Sequence, residues 1–407
     1  MPDVERLLAA FASGALVRPS AAEANLLDLA SAIFATTGVP GAGVAGHAAE
    51  LASELAGAEH VVLVLADGLG RHFVDGLPAD AWMRRHLRRS LQVPFPPTTA
   101  VALTSLATGR WLTDHAAPGW WTYLPGRDVV AVPLRFHRLS DERSLEDLGV
   151  PVEEVFPQPS LVPRMRAEVE FVLPRAIAES VYSRYIGGGS ARAGYDSLRG
   201  AAEHVVARLA AAGGPTYTYW YTPRVDTLAH ELGVEDEQTV AAVRELDGEL
   251  AALAEQLAAL PRQARLVVTA DHGHRDVPDD GREMIAEEDS LLEFLRCHPS
   301  GDVRAVYFHL RVDADAAQHR EFRAVFHERF GARWVLLSTD EVEALRLLGP
   351  GPLSTETRSR IGDYTAIALG AEVMRYEGAP GADRFMRQRS QHSGLSPAEM
   401  TVPLIIA

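Results

Sequence analysis

Apolar positions recur along the chain in two patterns, one typical of amphipathic helices and one typical of buried strands. Residues 3–56 alternate apolar and polar positions at helical spacing, as in DVERLLAAF and ANLLDLASAIF, which predicts helices. Wholly apolar runs follow in HVVLVLADGLG (60–70), TYTYWYTPRVD (216–226) and ARLVVTADHG (264–273). Helical stretches such as SLRGAAEHVVARLAAA separate these runs. Continuous apolar strands that alternate with helices indicate an α/β fold, a mostly parallel sheet with helices on both faces.

The pattern changes after residue 275, where shorter helical and strand-like stretches follow one another, beginning with a predicted helix at DSLLEFLRC (289–297). We interpret this region as an inserted small α+β cap subdomain, because the chain afterwards returns to an apolar strand. The predicted organisation has four parts: an N-terminal helical segment packing on the core (1–56), an α/β core that would carry the site (57–275), the cap (276–378) and a return to the core (379–407).

The composition restricts the classes of protein to which the chain can belong. Of its 407 residues, 47% are apolar and 23% are charged, as in soluble globular proteins. The 55 acidic residues exceed the 39 basic ones, which gives a formal net charge of −16. Binding of a nucleic-acid polymer or an anionic membrane is therefore not expected. The single cysteine, Cys297, excludes an internal disulfide framework.

The N-terminus, MPDVERLLAAF, carries acidic residues where a secretory signal would carry basic ones. The sequence also has no apolar run approaching the ~20 residues needed to span a bilayer. Both observations predict a cytoplasmic protein.

Acidic and histidine side chains follow the apolar strands, where parallel α/β sheets bind ligands. Asp226 and His230 lie four residues apart, which lets both side chains face one way on a helical turn. Three carboxylates and three imidazoles suit two borderline divalent cations such as zinc. The candidate ligands are Asp67, Asp226, His230, Asp271, His272 and His392.

A candidate nucleophile lies in the segment FPPTTAVALTSLATGR (95–110). Two prolines end the preceding strand, and Thr98 or Thr99 then stands where a helix N-cap belongs. A capping role alone would explain either threonine. A helix N-terminus also favours anions, and coordination to a metal activates a threonine hydroxyl as a nucleophile.

Taken in order, these motifs resemble those of the alkaline phosphatase superfamily: Asp-Gly, a threonine before a helix ending in Thr-Gly, Asp-x-x-x-His, Asp-His-Gly and a late His. The chain is most similar to the type I phosphodiesterase/nucleotide pyrophosphatase branch, over roughly residues 58–275 and 385–405. The resemblance implies an alkaline-phosphatase-like fold and a site with two divalent metal ions, zinc or alternatively manganese. Counting back nine residues from Thr108 places the family's nucleophile on Thr99.

The resemblance also implies how the ligands divide between the two metal ions. One ion would be held by Asp226, His230 and His392. The other would be held by Asp67, Asp271 and His272, with Thr99 beside it as a further oxygen ligand.

Two residues depart from the pattern of eukaryotic nucleotide pyrophosphatases. Ala102 stands three residues after Thr99, where those enzymes carry an asparagine that hydrogen-bonds the phosphate. Ala229 replaces the glycine of their Asp-x-x-Gly-His motif. These changes bear on nucleotide specificity and leave the implied metal ligands intact.

The implied reaction is in-line attack by Thr99 on phosphorus, followed by hydrolysis of the phospho-enzyme. The substrate is expected to be a small phosphate ester, and a diester or pyrophosphate in preference to a monoester. The segment after Thr99 offers only small and apolar side chains until Arg110, so it places no nearby cation for a dianionic group. Candidate substrate contacts are Arg71, Arg110, Trp120, Trp121 and Tyr123.

Several other functions would use some of the same residue types. A sulfatase is rejected because CHPSG, around Cys297, has glycine where the signature requires arginine and follows the Asp-His motif. A metal-dependent phosphoglycerate mutase would use a serine nucleophile. A phosphomonoesterase and a phosphonate hydrolase remain as alternatives within the superfamily, and a non-catalytic phosphate-binding relative remains as the alternative without catalysis.

Overall fold

The computed structural model of the chain describes residues 2–407. Within this range the helices α1 to α17 are Asp3–Ala12, Leu26–Thr36, Gly46–Leu55, Arg71–Asp75, Trp82–His86, Thr99–Thr108, Leu112–His115, Val152–Val155, Val181–Gly187, Leu198–Ala211, Arg224–Leu232, Glu237–Ala258, Ala316–Phe330, Thr339–Ala344, Thr355–Ile361, Ala382–Arg387 and Pro397–Met400. The strands β1 to β18 are His60–Ala66, Leu87–Gln92, Thr122–Leu124, Val129–Val132, His137–Arg138, Glu168–Pro174, Ala191–Tyr195, Thr216–Thr222, Ala264–Thr269, Arg275–Asp276, Arg282–Ile285, Ser300–Gly301, Ala305–Phe308, Trp334–Ser338, Tyr364–Ala368, Val373–Tyr376, Ser390–Gln391 and Thr401–Ile406.

The largest sheet within residues 2–407 has seven strands in the order β2-β18-β9-β1-β8-β6-β7. Strand β1 pairs in parallel with β8 and β9, and β6 pairs in parallel with β7 and β8. Strand β18 runs antiparallel to β2 and β9. The mostly parallel sheet predicted from the apolar runs is therefore confirmed.

The central strand explains how the sheet is held. Every residue of β1 is buried, and successive side chains of a strand point to opposite faces, so both faces of the sheet must be covered. Helices α2, α3 and α6 form one group of contacting helices, and α10 and α11 both contact α12. Each fully buried aliphatic side chain stabilises the fold by about 1.5–3 kcal/mol. This packing fixes the point at which Asp67 follows the strand.

The segment 276–378 carries a smaller antiparallel sheet, which in the described chain has the order β12-β13-β15-β14. Helix α13 contributes Phe322, Phe326 and Phe330 to the buried cluster on this sheet. Tyr307 and Leu337 belong to the same buried cluster as the central sheet. The hydrophobic core is therefore continuous from the central sheet into the segment.

Buried polar contacts also join the segment to other parts of the chain. Arg304 and Glu399 form an ion pair at 2.8 Å in which both side chains are fully buried. Helix α1 lies on β14, where Asp3 Oδ2 accepts a hydrogen bond from Leu336 N at 3.2 Å. Helices α2 and α3 lie on the main unit, since α2 contacts α6. The N-terminal helices thus contact both the central unit and the segment 276–378.

One predicted helix differs from the structure. Residues 289–297 do not form an α-helix; Ser290–Phe294 form a short 3-10 helix. The backbone after it pairs with a neighbouring segment instead, because Arg296 N donates to His309 O at 3.0 Å and Arg311 N donates to Phe294 O at 3.0 Å. These bonds take the place of helical ones.

No helix in residues 2–407 combines the length and the apolar character that crossing a membrane requires.

Candidate active site

Three neighbouring strands of the central sheet deliver aspartates to one edge. Strands β9, β1 and β8 are adjacent and parallel, so their carboxyl ends meet at the same edge. Asp67 follows β1, Asp271 follows β9, and Asp226 lies in the first turn of α11 directly after β8. The packing of the sheet therefore holds the three carboxylates together.

Asp67, Asp271 and His272 form a first cluster, in which one donor atom from each lies within 4.8 Å of the others. His272 Nε2 is 3.3 Å from Asp67 Oδ1 and 3.6 Å from Asp271 Oδ2. These two carboxylate oxygens are buried and have no hydrogen-bond partner within residues 2–407. Buried oxygens without partners are costly, and a divalent cation would satisfy both.

Asp226, His230 and His392 form a second cluster within the same 4.8 Å limit. His230 Nε2 is 3.3 Å from Asp226 Oδ1, one helical turn away on α11. His392 follows β17, and its ring stacks on the ring of His272 with centroids 3.7 Å apart. The stacking places the two clusters side by side.

The three histidines of these clusters share one hydrogen-bonding arrangement. His230 Nδ1 lies 2.9 Å from Ser390 O, His272 Nδ1 lies 3.2 Å from Gly273 O, and His392 Nδ1 lies 3.0 Å from Pro97 O. A carbonyl oxygen only accepts hydrogen bonds, so each Nδ1 carries the hydrogen. In the neutral form of each ring the lone pair is then on Nε2, which is the arrangement that orients a histidine for a metal ion.

The electrostatics of the clusters also favour a cation. Burial, followed by the charges of Asp271 and Asp226, raises the pKa of Asp67 well above its ordinary value. Burial alone would raise the pKa of Asp226, but His230 and His274 outweigh it and hold that pKa well below the ordinary range. Burial, with the neighbouring histidines, lowers the pKa of His392 well below its usual value. Imidazoles beside crowded carboxylates are a donor set that fits zinc or manganese.

Two residues that the sequence interpretation missed contact these clusters. His274 Nε2 lies 2.9 Å from Asp226 Oδ1, and its Nδ1 lies 3.0 Å from Ser390 Oγ. The Tyr221 hydroxyl hydrogen-bonds Asp67 Oδ2. The motif DHGHRD contained a signal for His274, since His274 stands two residues after His272.

Thr99 is the first residue of α6, and Thr98 is its N-cap. The side chain of Thr98 makes no capping hydrogen bond to the helix. Thr99 Oγ1 lies 3.3 Å from His272 Nε2 and is thus beside the first cluster. Thr99 stands at the N-terminus of α6, and the free N–H groups of a helix N-terminus favour binding of an anion beside it.

A cavity of about 600 Å³ opens over both clusters. Its wall includes Trp120 and Trp121 from the loop before β3, together with Asp302 and Arg375 from the segment 276–378. Asp302 Oδ2 accepts a hydrogen bond from Trp120 N at 2.9 Å, and burial raises the pKa of Asp302 to about 7. A cavity of this size holds a ligand much larger than a phosphoryl group.

Three of the predicted substrate contacts are not among the residues that line this cavity. Arg71 is engaged elsewhere, with Asp75 at 2.8 Å and Ser90 at 2.7 Å. Arg110 follows the far end of α6, about 15 Å from Thr99 at 1.5 Å per residue. Tyr123 is buried and donates to Asp128 Oδ1 at 2.6 Å. The arginines of the wall, Arg135, Arg375 and Arg384, were not predicted.

Comparison with protein families gives one match that spans most of the chain. The profile described as type I phosphodiesterase/nucleotide pyrophosphatase matches residues 61–385. No curated protein sequence matches the chain.

Comparison with solved structures finds the same fold in proteins of low sequence identity. An inactive threonine-to-alanine variant of murine ectonucleotide pyrophosphatase/phosphodiesterase 5, in complex with AMP, is 13% identical with a TM-score of 0.62, covering 84% of this chain and 87% of that chain. The human counterpart is 14% identical with a TM-score of 0.62, covering 85% and 87%. Phosphonoacetate hydrolase from Sinorhizobium meliloti 1021, in complex with phosphonoformate, is 19% identical with a TM-score of 0.58, covering 85% and 89%. These likenesses confirm the alkaline-phosphatase-like fold.

Proposed function

The chain belongs to the type I phosphodiesterase/nucleotide pyrophosphatase family, and from that premise we propose that it hydrolyses phosphodiester or pyrophosphate bonds at a two-metal site with Thr99 as the nucleophile. Zinc is the proposed metal, with manganese as the alternative. The substrate is a small phosphate ester.

The shared orientation of three histidines is the observation that carries this proposal. Each ring of the two clusters turns its hydrogen-bearing Nδ1 to a backbone carbonyl, and the Nε2 atoms of His230 and His272 each lie 3.3 Å from an aspartate oxygen. A divalent cation bound there would accept the Nε2 lone pairs and satisfy the carboxylate oxygens together. Asp226, His230 and His392 would hold one metal ion, and Asp67, Asp271 and His272 would hold the other, with the Thr99 hydroxyl oxygen as a further ligand.

Different residues of the chain have different roles in the proposed reaction. When bound, two divalent cations supply positive charge to the attacking and leaving oxygens of an in-line displacement. Thr99 Oγ1 attacks phosphorus, the bond from phosphorus to the leaving-group oxygen breaks, and the phosphoryl group stays esterified to Thr99 with the second substituent still attached. Water then breaks the bond between Thr99 Oγ1 and phosphorus, which releases the monoester and restores the Thr99 hydroxyl. The N-terminus of α6 binds the phosphate oxygens through its free N–H groups. His274 holds the Asp226 carboxylate, and Tyr221 holds that of Asp67.

The segment 276–378 acts in this proposal as a cap on the substrate cavity. It contributes Asp302 and Arg375 to the cavity wall, beside lining residues from the central unit. Trp120 and Trp121 connect the cap to the main unit, since Trp121 N donates to Gly301 O at 2.9 Å. The cap would therefore select the second substituent of a diester.

A substrate panel tests the proposed function. Purified protein with added Zn or Mn is assayed with p-nitrophenyl phosphate, bis-p-nitrophenyl phosphate, a nucleotide pyrophosphate and a phosphonate. We expect kcat/KM to be higher for the diester or the pyrophosphate than for the monoester. A tenfold or greater preference for the monoester, about 1.4 kcal/mol of transition-state discrimination, would instead support a phosphomonoesterase. A preference for the phosphonate would support a phosphonate hydrolase.

A further inference from the structure

The cavity wall contains a buried cation without a matching anion. Arg375 is 7% exposed and lines the cavity over the two clusters. Within residues 2–407 its guanidinium makes one hydrogen bond, from Nη2 to Pro380 O at 2.8 Å, while Nε has no partner. No carboxylate of the described chain lies within ion-pair distance of it. Buried charges are normally paired, because an unpaired one loses its hydration without compensation.

Aromatic rings hold this guanidinium in place. Its central carbon lies 4.1 Å from the ring centroid of Trp121 and 5.6 Å from that of Phe385. Such contacts contribute about 0.5–2 kcal/mol, which offsets only part of the cost of burial. The planar guanidinium of Arg375 is thereby fixed in orientation, although it makes only one hydrogen bond within the described chain. A fixed guanidinium with free donors is suited to a carboxylate or phosphate group.

Asp302 lines the same cavity and compensates the charge of Arg375 only partly. Burial raises the pKa of its carboxyl to about 7, against the lowering effects of the Trp120 N–H and of the charge of Arg375. The carboxyl already accepts the Trp120 N–H at 2.9 Å and is not within ion-pair distance of Arg375.

Outside the two clusters, the cavity wall has more basic than acidic residues. The chain has a formal net charge of −16, yet this part of the wall contains Arg135, Arg375 and Arg384 against Glu142 and Asp302. The guanidinium carbon of Arg135 lies 5.9 Å from the ring centroid of Trp120. Each of two adjacent tryptophans is therefore in contact with an arginine, of which Arg135 is exposed and Arg375 is buried.

We propose that Arg375 and Trp121 form a subsite for a second anionic group of the substrate, separate from the phosphate that is cleaved. This inference rests on the proposed function and narrows its substrate class to esters whose remaining substituent carries a phosphate or a carboxylate. The cavity of about 600 Å³ leaves room for such a substituent beyond the phosphoryl group.

Two matched substrate pairs test the subsite and distinguish its two sources of charge. p-Nitrophenyl phenyl phosphate is compared with p-nitrophenyl 4-carboxyphenyl phosphate, and adenylyl-adenosine with diadenosine pyrophosphate. For each pair, the ratio of kcat/KM for the more anionic substrate to kcat/KM for the less anionic one is measured. We expect Arg375→Met to lower this ratio at least tenfold, or about 1.4 kcal/mol, in one pair or both. A lower ratio in the phenyl diester pair indicates that the subsite binds a carboxylate. A lower ratio in the adenosine pair indicates that it binds a phosphate.

Two further variants control for structural effects. Arg375→Lys keeps the charge and should lower the ratio less than Arg375→Met does. Arg358→Met removes an arginine of the same segment that is ion-paired with Asp340 at 2.7 Å and does not line the cavity, so the ratio should not change. Should Arg375→Met fail to fold, the Lys variant still tests whether the fork geometry matters.

Binding provides a measurement that does not depend on turnover. In a Thr99→Ala background with Zn, calorimetric titration with the carboxyphenyl and phenyl diesters should show tighter binding of the former, and Arg375→Met should abolish the difference. If no substrate is hydrolysed but this difference is found, the proposed function fails and the subsite stands. If hydrolysis occurs and both ratios survive Arg375→Met, the subsite is wrong. An equal loss for every substrate, including p-nitrophenyl phosphate, would also overturn it.

Discussion

Replacing His274 with alanine should weaken metal binding by about 10- to 100-fold, because this ring orients a proposed ligand. The imidazole is 1% exposed, and burial lowers its pKa to about 3, so the ring is neutral at working pH and has one N–H. Asp226, whose pKa is held low, is ionised and accepts that hydrogen from Nε2 at 2.9 Å. Nδ1 lies 3.0 Å from Ser390 Oγ, whose hydroxyl donates to Ala229 O at 2.7 Å.

The magnitude follows from the hydrogen bond between His274 and Asp226. A hydrogen bond to a charged group contributes about 1.5–3 kcal/mol, and removing an outer partner of a metal ligand typically costs 10- to 100-fold in affinity. A 10- to 100-fold loss equals about 1.4–2.7 kcal/mol. His274→Gln, whose amide can still donate to Asp226, should recover part of the loss.

The assay is competition for Zn against a chromophoric chelator, with wild type and variants compared at one pH. His115→Ala is the matched control: His115 is also buried and lies 3.0 Å from Ser105 Oγ, but it does not belong to either cluster. The control should lose stability without losing Zn affinity. Unchanged Zn affinity in His274→Ala would refute the reasoning. Loss of one full equivalent of metal would show that His274 is itself a ligand, as its place in a third group with Asp226 and His272 allows.

Three further predictions concern the nucleophile, the cavity wall and the turn after β1. Thr99→Ala should lower kcat by orders of magnitude and abolish the phospho-enzyme seen by intact-mass analysis, whereas Thr98→Ala should cost far less; the reverse order would place the nucleophile one residue earlier. Because the pKa of Asp302 is raised to about 7 from about 3.9 in the unfolded chain, its ionisation destabilises the fold progressively as pH rises from about 4 to 7. Asp302→Asn should therefore gain up to roughly 4 kcal/mol relative to wild type across that window in urea denaturation, and a pH-independent difference would contradict this. Gly68→Ala should lower both Tm and metal content, because Gly68 has φ +73° and an added Cβ would lie 2.8 Å from Asp226 Cα and from His274 Nε2; retention of full metal content would show that the turn adapts.

The sequence predicted the central sheet because its strands carry an unusually plain signal. Runs such as HVVLVLA are apolar at every position, and the structure buries every residue of that strand. The predicted helix at 289–297 was wrong because backbone pairing with residues 309–311 outweighs a helical pattern of apolar positions. Local periodicity reports which face of an element is buried and gives no information about pairing with a distant segment.

The candidate site likewise contains residues that the sequence predicted and residues that it did not. The aspartates at strand ends were accessible to sequence interpretation, because parallel strands necessarily bring their carboxyl ends together. Arg375 and Asp302 were not, since they lie in the segment 276–378 and no motif marks them. Arg71 stood close to a motif in the sequence, but its side chain pairs with Asp75. Position at the end of a strand predicted which aspartates lie close together, whereas it did not predict side chains whose partners are set by tertiary packing.

The most direct test of the two-metal proposal is a zinc titration of chelator-treated protein, followed by hydrolysis of bis-p-nitrophenyl phosphate. We expect no activity without metal, a rise that ends at about two equivalents of Zn per chain, as two three-residue clusters imply, and no comparable activity from Thr99→Ala at any Zn concentration. Activity that does not depend on added metal, or that Thr99→Ala retains in full, would contradict the account.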